Sequence, residues 1–394
     1  MRYFILYICL VWHLFPGISQ KRYDIQFLFE GKTRELIVSV PTKTAPPNGF
    51  PVVFMLHGTS GEASTFYNAK GWRELGQEEN FITIFPSALR WCFIEDGEVK
   101  NNSRFVCGNL LDSICPQEIP NLVDDINFFR KIVDVLQDTV KLDQEKIFLC
   151  GFSNGGGMAH KCSMDAGDLF RAIGACSGPL HPLDSLTPAN RIPVLYMFGT
   201  KDNRYFSPNF PNEVPFGGDS VLVYHYKPLN RALICQGLTN KYIKTETATS
   251  KMYVFSECVV GQDCAPYVLV VNKGQEHQFP NGLNYPLDGP RIYWNFFNNP
   301  PKTTMATHIE NQYNEDKVHL FPNPSFDKVT IEVALPEGEK WSFSILDIHG
   351  KMIYREATMK LPKTEILVGD FPKGIYQICV QHSSFFTAKK FIKR

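Results

Sequence analysis

The sequence predicts a mostly parallel α/β sheet with helices on both faces, followed by a small antiparallel β-sandwich. Three observations predict it. Compact apolar runs alternate with helical patterns through residues 51–297. That rhythm builds a parallel sheet buried on both faces. The composition then breaks at Asn298-Asn299-Pro300-Pro301, and a polar, Thr- and Asn-rich stretch without apolar period follows. Beyond residue 316, short alternating runs separated by turn residues read as a sandwich.

Each element has its own signal. Residues 23–41 alternate polar and apolar around Glu30-Gly31-Lys32, as an antiparallel hairpin does. Residues 51–56 form an apolar strand ending at His57-Gly58-Thr59, and 81–85 form another. Residues 64–79 between them read as one helix. Apolar residues at 119, 122, 126, 129, 132, 133 and 136 give 119–140 a helical period. Strands follow at 146–150, 172–176, 193–198 and, last, 268–272. Helices are expected at 155–166 and 290–297. Two excursions rich in Pro, Gly, Asn and Cys, residues 87–118 and 203–262, interrupt this order. Long loops of that kind carry function or form lids. In the last part, runs at 329–333, 341–347, 352–355, 375–380 and 385–392 supply the sandwich strands.

The chain of 394 residues has an apolar share of 44% and an aromatic share of 13%, which supports a large core. Lys+Arg and Asp+Glu are 40 each. Zero net charge argues against nucleic acid or a polycation as partner and fits an uncharged substrate. Met1-Arg2, an apolar run over 4–15 and small residues at 17 and 19 have the layout of a secretory signal peptide cleaved after Ser19. A run of that length falls short of the about 20 residues that span a bilayer. The expected organisation is therefore 1–19 signal peptide, 20–298 catalytic domain, 299–315 linker and 316–394 β-sandwich.

An exported chain meets an oxidising compartment, where cysteines pair. Cys9 leaves with the signal. Cys92, Cys107, Cys115, Cys235, Cys258 and Cys264 lie in turn-rich sequence and are the candidates for bridges. Cys150, Cys176 and Cys379 lie in apolar runs and read as buried thiols.

Gly151-Phe152-Ser153-Asn154-Gly155 follows a strand and opens a helix. A sharp turn there leaves no room for side chains at 151 and 155 and pushes the Ser153 hydroxyl out at the sheet's carboxyl end. The helix N-terminus beneath favours developing negative charge. A Ser hydroxyl needs a base to take its proton. In such a fold the order is Ser, acid, His, each beyond a strand. Asp202 follows the strand over 193–198, and His277 follows that over 268–272. Asp202 then holds the imidazole tautomer, and His277 acts as general base and later acid. The backbone N–H groups of Asn154 and Thr59 are the expected oxyanion donors. His57 is read as shaping its loop, His160 and His225 as weaker candidates for the base, and Asp124-Asp125 as a solvated or capping pair. Trp72 is expected to pack, while Trp91 packs or lines a substrate site.

Leu56-His57-Gly58-Thr59-Ser60-Gly61, Gly71-Trp72 with Leu75, Val123-Asp124-Asp125-Ile126-Asn127-Phe128 and Gly151-Phe152-Ser153-Asn154-Gly155-Gly156 resemble the secreted polyhydroxybutyrate depolymerase and feruloyl esterase family of α/β-hydrolases. The likeness covers residues 22–298. It implies ester hydrolysis by a Ser153–Asp202–His277 triad with no metal or cofactor. It also puts Cys235 and Cys258 where the family carries two cysteines, with Cys258–Cys264 as the rival pairing. The chain departs from the family after the His, where Gln278-Phe279-Pro280 replaces the usual Ser or Thr, Trp and Pro.

Phe321-Pro322-Asn323-Pro324, Ile345-Leu346-Asp347-Ile348-His349-Gly350-Lys351 and Phe371-Pro372-Lys373-Gly374-Ile375-Tyr376, with the basic end over 389–394, resemble the type IX secretion sorting domain of Bacteroidetes. This implies export across the outer membrane, then release or attachment at the surface, and no catalytic role for the domain. The expectation is a secreted, monomeric serine esterase acting on acyl or feruloyl esters of plant polysaccharide or on a polyester. Its partners are that substrate and the type IX secretion machinery. The alternatives are a peptidase on the same fold and a non-catalytic surface glycan-binding protein.

Overall fold

The computed structural model describes residues 20–188, 190–206, 213–214, 216–305, 318–335, 338–347, 352–382 and 385–394. The expected signal peptide and residues 306–315 of the expected linker lie outside them. The described residues fall into two compact units, one over 20–205 and 213–305, the other over 318–394 together with Phe206.

The first unit is built on a ten-stranded mixed sheet. Its early strands are β1 (Lys21–Phe29), β2 (Lys32–Val40), β3 (Phe50–Leu56) and β4 (Ile82–Pro86). A two-stranded hairpin, β5 (Arg90–Glu95) and β6 (Glu98–Ser103), stands apart from the sheet. Then come β7 (Leu142–Phe152), β8 (Ala172–Cys176), β9 (Val194–Gly199), β10 (Ile243–Glu246), β11 (Ser250–Phe255), β12 (Glu257–Cys258) and β13 (Tyr267–Asn272). The order across the sheet is β1-β2-β4-β3-β7-β8-β9-β13-β11-β10. The six strands from β4 to β13 are parallel, and an antiparallel pair closes each edge. β1 and β2 turn through Glu30 and Gly31, both at positive φ (48° and 74°), as a two-residue turn matched to strand twist requires.

Five helices concern the site: α1 (Ala63–Asn68), α2 (Trp72–Glu79), α3 (Gly108–Leu111), α4 (Asp125–Gln137) and α5 (Asn154–Asp165). Side chains along β3 point alternately to opposite faces. Val53 and Met55 join Trp72, Phe81, Tyr293, Trp294 and Phe297 in one aromatic-rich core. Phe54 on the other face meets Phe129 of α4 (ring centroids 5.7 Å) and Phe170 (5.6 Å).

Several expectations are corrected. The helix expected over 64–79 is two helices. Ala69 is extended and Gly71 sits at φ 134°, where a Cβ would approach Pro290 Cγ to 2.7 Å. The helix expected from 119 starts at Asp125. Pro116 and Pro120 hold 116–121 in a 3₁₀ turn, and Asp124 caps the helix by accepting from Ile126 N (2.8 Å). The excursion over 203–262 contributes β10 and β11 to the sheet edge, so 268–272 is not the only strand after β9. Residues Thr304–Met305, assigned to the linker, pair with β12 as a short parallel strand.

Cysteine pairing also differs. The bridges are Cys92–Cys115 and Cys258–Cys264. Cys107 and Cys235 are buried thiols, not bridge partners. Cys107 Sγ faces the Asn154 amide at 3.4 Å, and Cys235 Sγ lies 3.2 Å from Leu186 O. The Cys235–Cys258 pairing implied by the family resemblance is therefore absent. Cys150 and Cys176 are buried thiols as expected, and the side chain of Cys379 lies outside the described residues. Trp72 and Trp91 are both buried in packing.

The second unit has a three-stranded sheet (Val318–Phe321, Lys328–Val333, Lys363–Leu367) and a four-stranded one (Met352–Met359, Trp341–Asp347, Gly374–His382, Phe385–Lys393), each in its order across the sheet. All their pairings are antiparallel. Val329, Ile331, Trp341, Phe343, Ile345, Ile378 and Val380 form their shared core, as a β-sandwich requires. The strands at 318–321 and 363–367 were not anticipated.

Candidate active site

The chain reverses sharply where β7 ends. Ser153 takes φ 54°, ψ −119°, outside the regions a residue with a Cβ favours, and α5 begins at Asn154. Crowding explains the two glycines. A Cβ on Gly151 would lie 2.0 Å from Gly155 O, and one on Gly155 would lie 2.5 Å from His57 O. Strain of this kind costs on the order of 1–3 kcal/mol and persists where the surroundings fix it. Here Ser153 N donates to Cys176 O (2.8 Å) on the neighbouring strand, and Gly157 N donates to Ser153 O (3.0 Å).

The acid and the imidazole arrive on two adjacent turns. Asp202 lies beyond β9 and His277 beyond β13, and those strands pair in parallel. The turns are tied to each other, because Lys201 N donates to Gln275 O (3.0 Å). Gln275 is fully buried. It accepts from Asn272 Nδ2 (2.6 Å) and donates from Nε2 to Gln278 O (2.9 Å), bracing the loop from both sides of His277. His277 Nδ1 lies 2.8 Å from Asp202 Oδ1, and His277 Nε2 lies 2.9 Å from Ser153 Oγ. Against an ionised carboxylate Nδ1 must donate, which leaves Nε2 free to accept the Ser153 O–H. The Asp202 side chain has no exposed surface, and Arg204 N donates to the same Oδ1 (3.3 Å).

Residues 40–205 match the family described as phospholipase/carboxylesterase, and residues 319–394 match the secretion system C-terminal sorting domain. The chain carries a phospholipase/carboxylesterase-type α/β-hydrolase domain followed by a secretion sorting domain. Among curated relatives, it is 25% identical over 175 residues to a putative esterase of Nocardia uniformis subsp. tsuyamanensis (44% of this chain, 46% of that protein). It is 21% identical over 174 residues to a bifunctional acetylxylan esterase/xylanase of Neocallimastix patriciarum (44% and 22%). It is 26% identical over 142 residues to a poly(3-hydroxybutyrate) depolymerase of Ralstonia pickettii (34% and 27%). The chain thus spans less than half the length of each of these three. A solved ferulic acid esterase of Anaeromyces mucronatus overlays with TM-score 0.43 at 17% identity, covering 73% of this chain and 93% of that one. The sorting domain marks the chain for secretion or attachment at the cell surface.

Within the hydrolase domain, the loop after β3 passes close to the nucleophile. A Cβ on Gly58 would lie 3.1 Å from Ser153 Cβ. Thr59, the second expected oxyanion donor, is on this loop, and Asn154 N is among the unpaired N–H groups that open α5. His57 shapes the loop. Its Nδ1 lies 2.7 Å from Gly58 O, its Nε2 accepts from Ala88 N (3.0 Å), and burial pushes its pKa down to about 4. His160 is likewise buried and pushed down to about 4, bonded to Gly178 O and the Tyr267 hydroxyl. His225 is buried as well, so neither is brought to Ser153. Glu276 is exposed.

Asp124 and Asp125 divide the roles assigned to them as a pair. Asp124 caps α4, but Asp125 is not solvated. It meets Arg34 Nη2 at 2.6 Å with both side chains buried, and its second oxygen accepts from Val106 N (2.7 Å). Arg34 also lies over the Phe128 ring at 3.7 Å. Gln275, Arg104 and the side chain of Asn154 were not singled out by sequence reasoning. The polar residue after the nucleophile was the only available signal for the last.

Proposed function

We propose that the chain is an exported serine esterase that hydrolyses carboxylic esters through an acyl-enzyme on Ser153. The observation that carries this reading is the imidazole of His277 hydrogen-bonded to Asp202 on one side and to Ser153 on the other. His277 Nε2 takes the hydroxyl proton as Ser153 Oγ attacks the ester carbonyl carbon. The carbonyl oxygen becomes an oxyanion, received by the N–H groups of Thr59 and Asn154. Collapse expels the alcohol, to which His277 returns the proton. Water, deprotonated by the same imidazole, then attacks the acyl-enzyme and releases the acid. Asp202, shielded from solvent, holds the ring and stabilises its charged form at both tetrahedral stages. Each oxyanion donor is worth about 3 kcal/mol of barrier.

The substrates proposed are acetyl or feruloyl esters on plant polysaccharide, or a polyester. The acetylxylan esterase and poly(3-hydroxybutyrate) depolymerase among the relatives support a polymeric ester. In this organisation residues 1–19 are a signal peptide, 20–298 the esterase, 299–315 a linker and 316–394 the part read by the type IX secretion machinery. The experiment is an ester panel of short acyl, feruloyl, acetyl-xylan and hydroxybutyrate substrates, run on the mature protein and its Ser153→Ala variant. Hydrolysis of at least one class that the variant loses is the expected result. Equal rates for the two proteins overturn the reading.

A further inference from the structure

Residues 103–109, from the end of β6 into the first turn of α3, grip both sides of the nucleophile. On one side Ser103 Oγ donates to Gly61 O (2.5 Å), Ser60 N donates to Ser103 O (3.0 Å) and Arg104 Nε donates to Thr59 Oγ1 (3.0 Å). On the other, Phe105 N donates to Asn154 Oδ1 (2.7 Å), and Asn154 Nδ2 donates to Phe105 O (3.2 Å) and to Asn109 Oδ1 (3.1 Å). Two of the four residues reached, Thr59 and Asn154, are the ones assigned to the oxyanion hole. The strap is itself held. Val106 N is bound by Asp125, Gly108 N donates to Asp184 Oδ1 (2.7 Å), and the Cys92–Cys115 bridge ties β5 of the hairpin before it to the chain beyond α3.

Arg104 is the unusual member. It is 3% exposed, and a guanidinium is costly to bury unless each end finds a partner. Its Nη2 pairs with Glu95, its plane lies 3.7 Å over the Phe93 ring, and its carbonyl accepts from Trp91 Nε1 (3.1 Å). Glu95 is already neutralised by Lys100 at 3.0 Å. The hairpin's carboxylate therefore does not require Arg104. What the fork adds is the bond to Thr59, which a point-charged ammonium cannot make while also holding Glu95.

We propose that Arg104 is a positioning residue for ester hydrolysis: it fixes Thr59, and with it the spacing between the two oxyanion donors. This rests on the esterase reading above. Arg104 touches no reacting atom. It acts through Thr59 Oγ1, so removing either end of that bond should have the same consequence.

The test is a double-mutant cycle of Arg104→Met and Thr59→Val, assayed with p-nitrophenyl acetate. Val at 59 keeps the backbone N–H and removes Oγ1. Misplacing one donor lowers kcat by about 10- to 100-fold, with KM within about threefold. The double variant should be no worse than the poorer single by more than about threefold, because the two changes break one interaction. Binding of phenylboronic acid, which becomes tetrahedral on the serine, should weaken by the same factor as kcat. A purely structural role would leave that correlation absent. Near-unchanged kcat in Thr59→Val, or losses that multiply in the double variant, overturn the proposal while the esterase reading stands. If Arg104→Met does not fold, Thr59→Val decides alone. A wild-type protein without ester hydrolysis overturns both readings.

Discussion

Acidification should destabilise the hydrolase domain, and three buried histidines set the size of the effect. His57, His160 and His225 are buried and held neutral, with pKa values pushed by burial from 6.5 to about 4, about 4 and about 3. Above pH 6.5 they are neutral in both folded and unfolded chains, so their contribution is fully present. Between 6.5 and 4 the unfolded chain binds protons that the folded chain refuses, and stability falls as pH falls. Below about 3 all three are protonated in both states and the loss is complete. Each residue then accounts for about 3 kcal/mol, and the three together rival the whole stability of a typical domain. The structure gives the local reason. A proton on His57 Nε2 would point at Ala88 N–H, which now donates to that atom, and would break the loop that carries Thr59. Urea unfolding from pH 7.5 to 4.5 measures this. The steepest slope should approach about 4 kcal/mol per pH unit, about three protons. His160→Gln should remove about a third of it. A flat profile, or all three imidazoles titrating near 6.5 in the folded protein by NMR, would refute the reasoning.

Other outcomes follow from the same geometry. Asp202→Asn should keep the fold and lower kcat by about 10⁴-fold, because the amide no longer enforces the required tautomer; steady-state kinetics with a soluble ester checks it. Asp125→Ala strands the buried Arg34 charge and frees Val106 N, so it should cost about 3–5 kcal/mol in denaturant unfolding. Opening the Cys92–Cys115 bridge, which closes a loop of 23 residues, should cost about 3 kcal/mol, read as a lower melting temperature of the Cys92→Ser/Cys115→Ser variant.

The parts of the molecule that were legible in the sequence are those whose signal is local. Gly151 and Gly155 advertise the turn because no other residue fits beside Gly155 O and His57 O. Asp202 and His277 could be picked out because a parallel sheet delivers strand ends to one edge, where β9 and β13 run side by side. What stayed hidden depends on residues far apart in the chain. Arg34 and Asp125 are 91 positions apart, and Arg104 and Thr59 are 45 apart, with no periodic pattern to join them. The break at Gly71 was missed because the apolar period continues across it, and its cause is Pro290 from the helix Gly289–Asn298. Bridge connectivity was open for a similar reason: turn-rich surroundings mark a cysteine as a candidate, but only the folded path brings Cys92 and Cys115 to a Cα separation of 5.4 Å. The edge strands β10 and β11 were masked by the polar, loop-like composition around them.

The central claim is that Ser153 carries the acyl group. Intact and peptide mass spectrometry of the protein quenched within seconds of mixing with p-nitrophenyl acetate tests it most directly. The account predicts a single acetyl adduct on the peptide containing Ser153, absent from Ser153→Ala and accumulating when Asp202 is replaced by Asn only in proportion to the residual rate. Ester hydrolysis that persists in Ser153→Ala, or an adduct on any other residue, would contradict it.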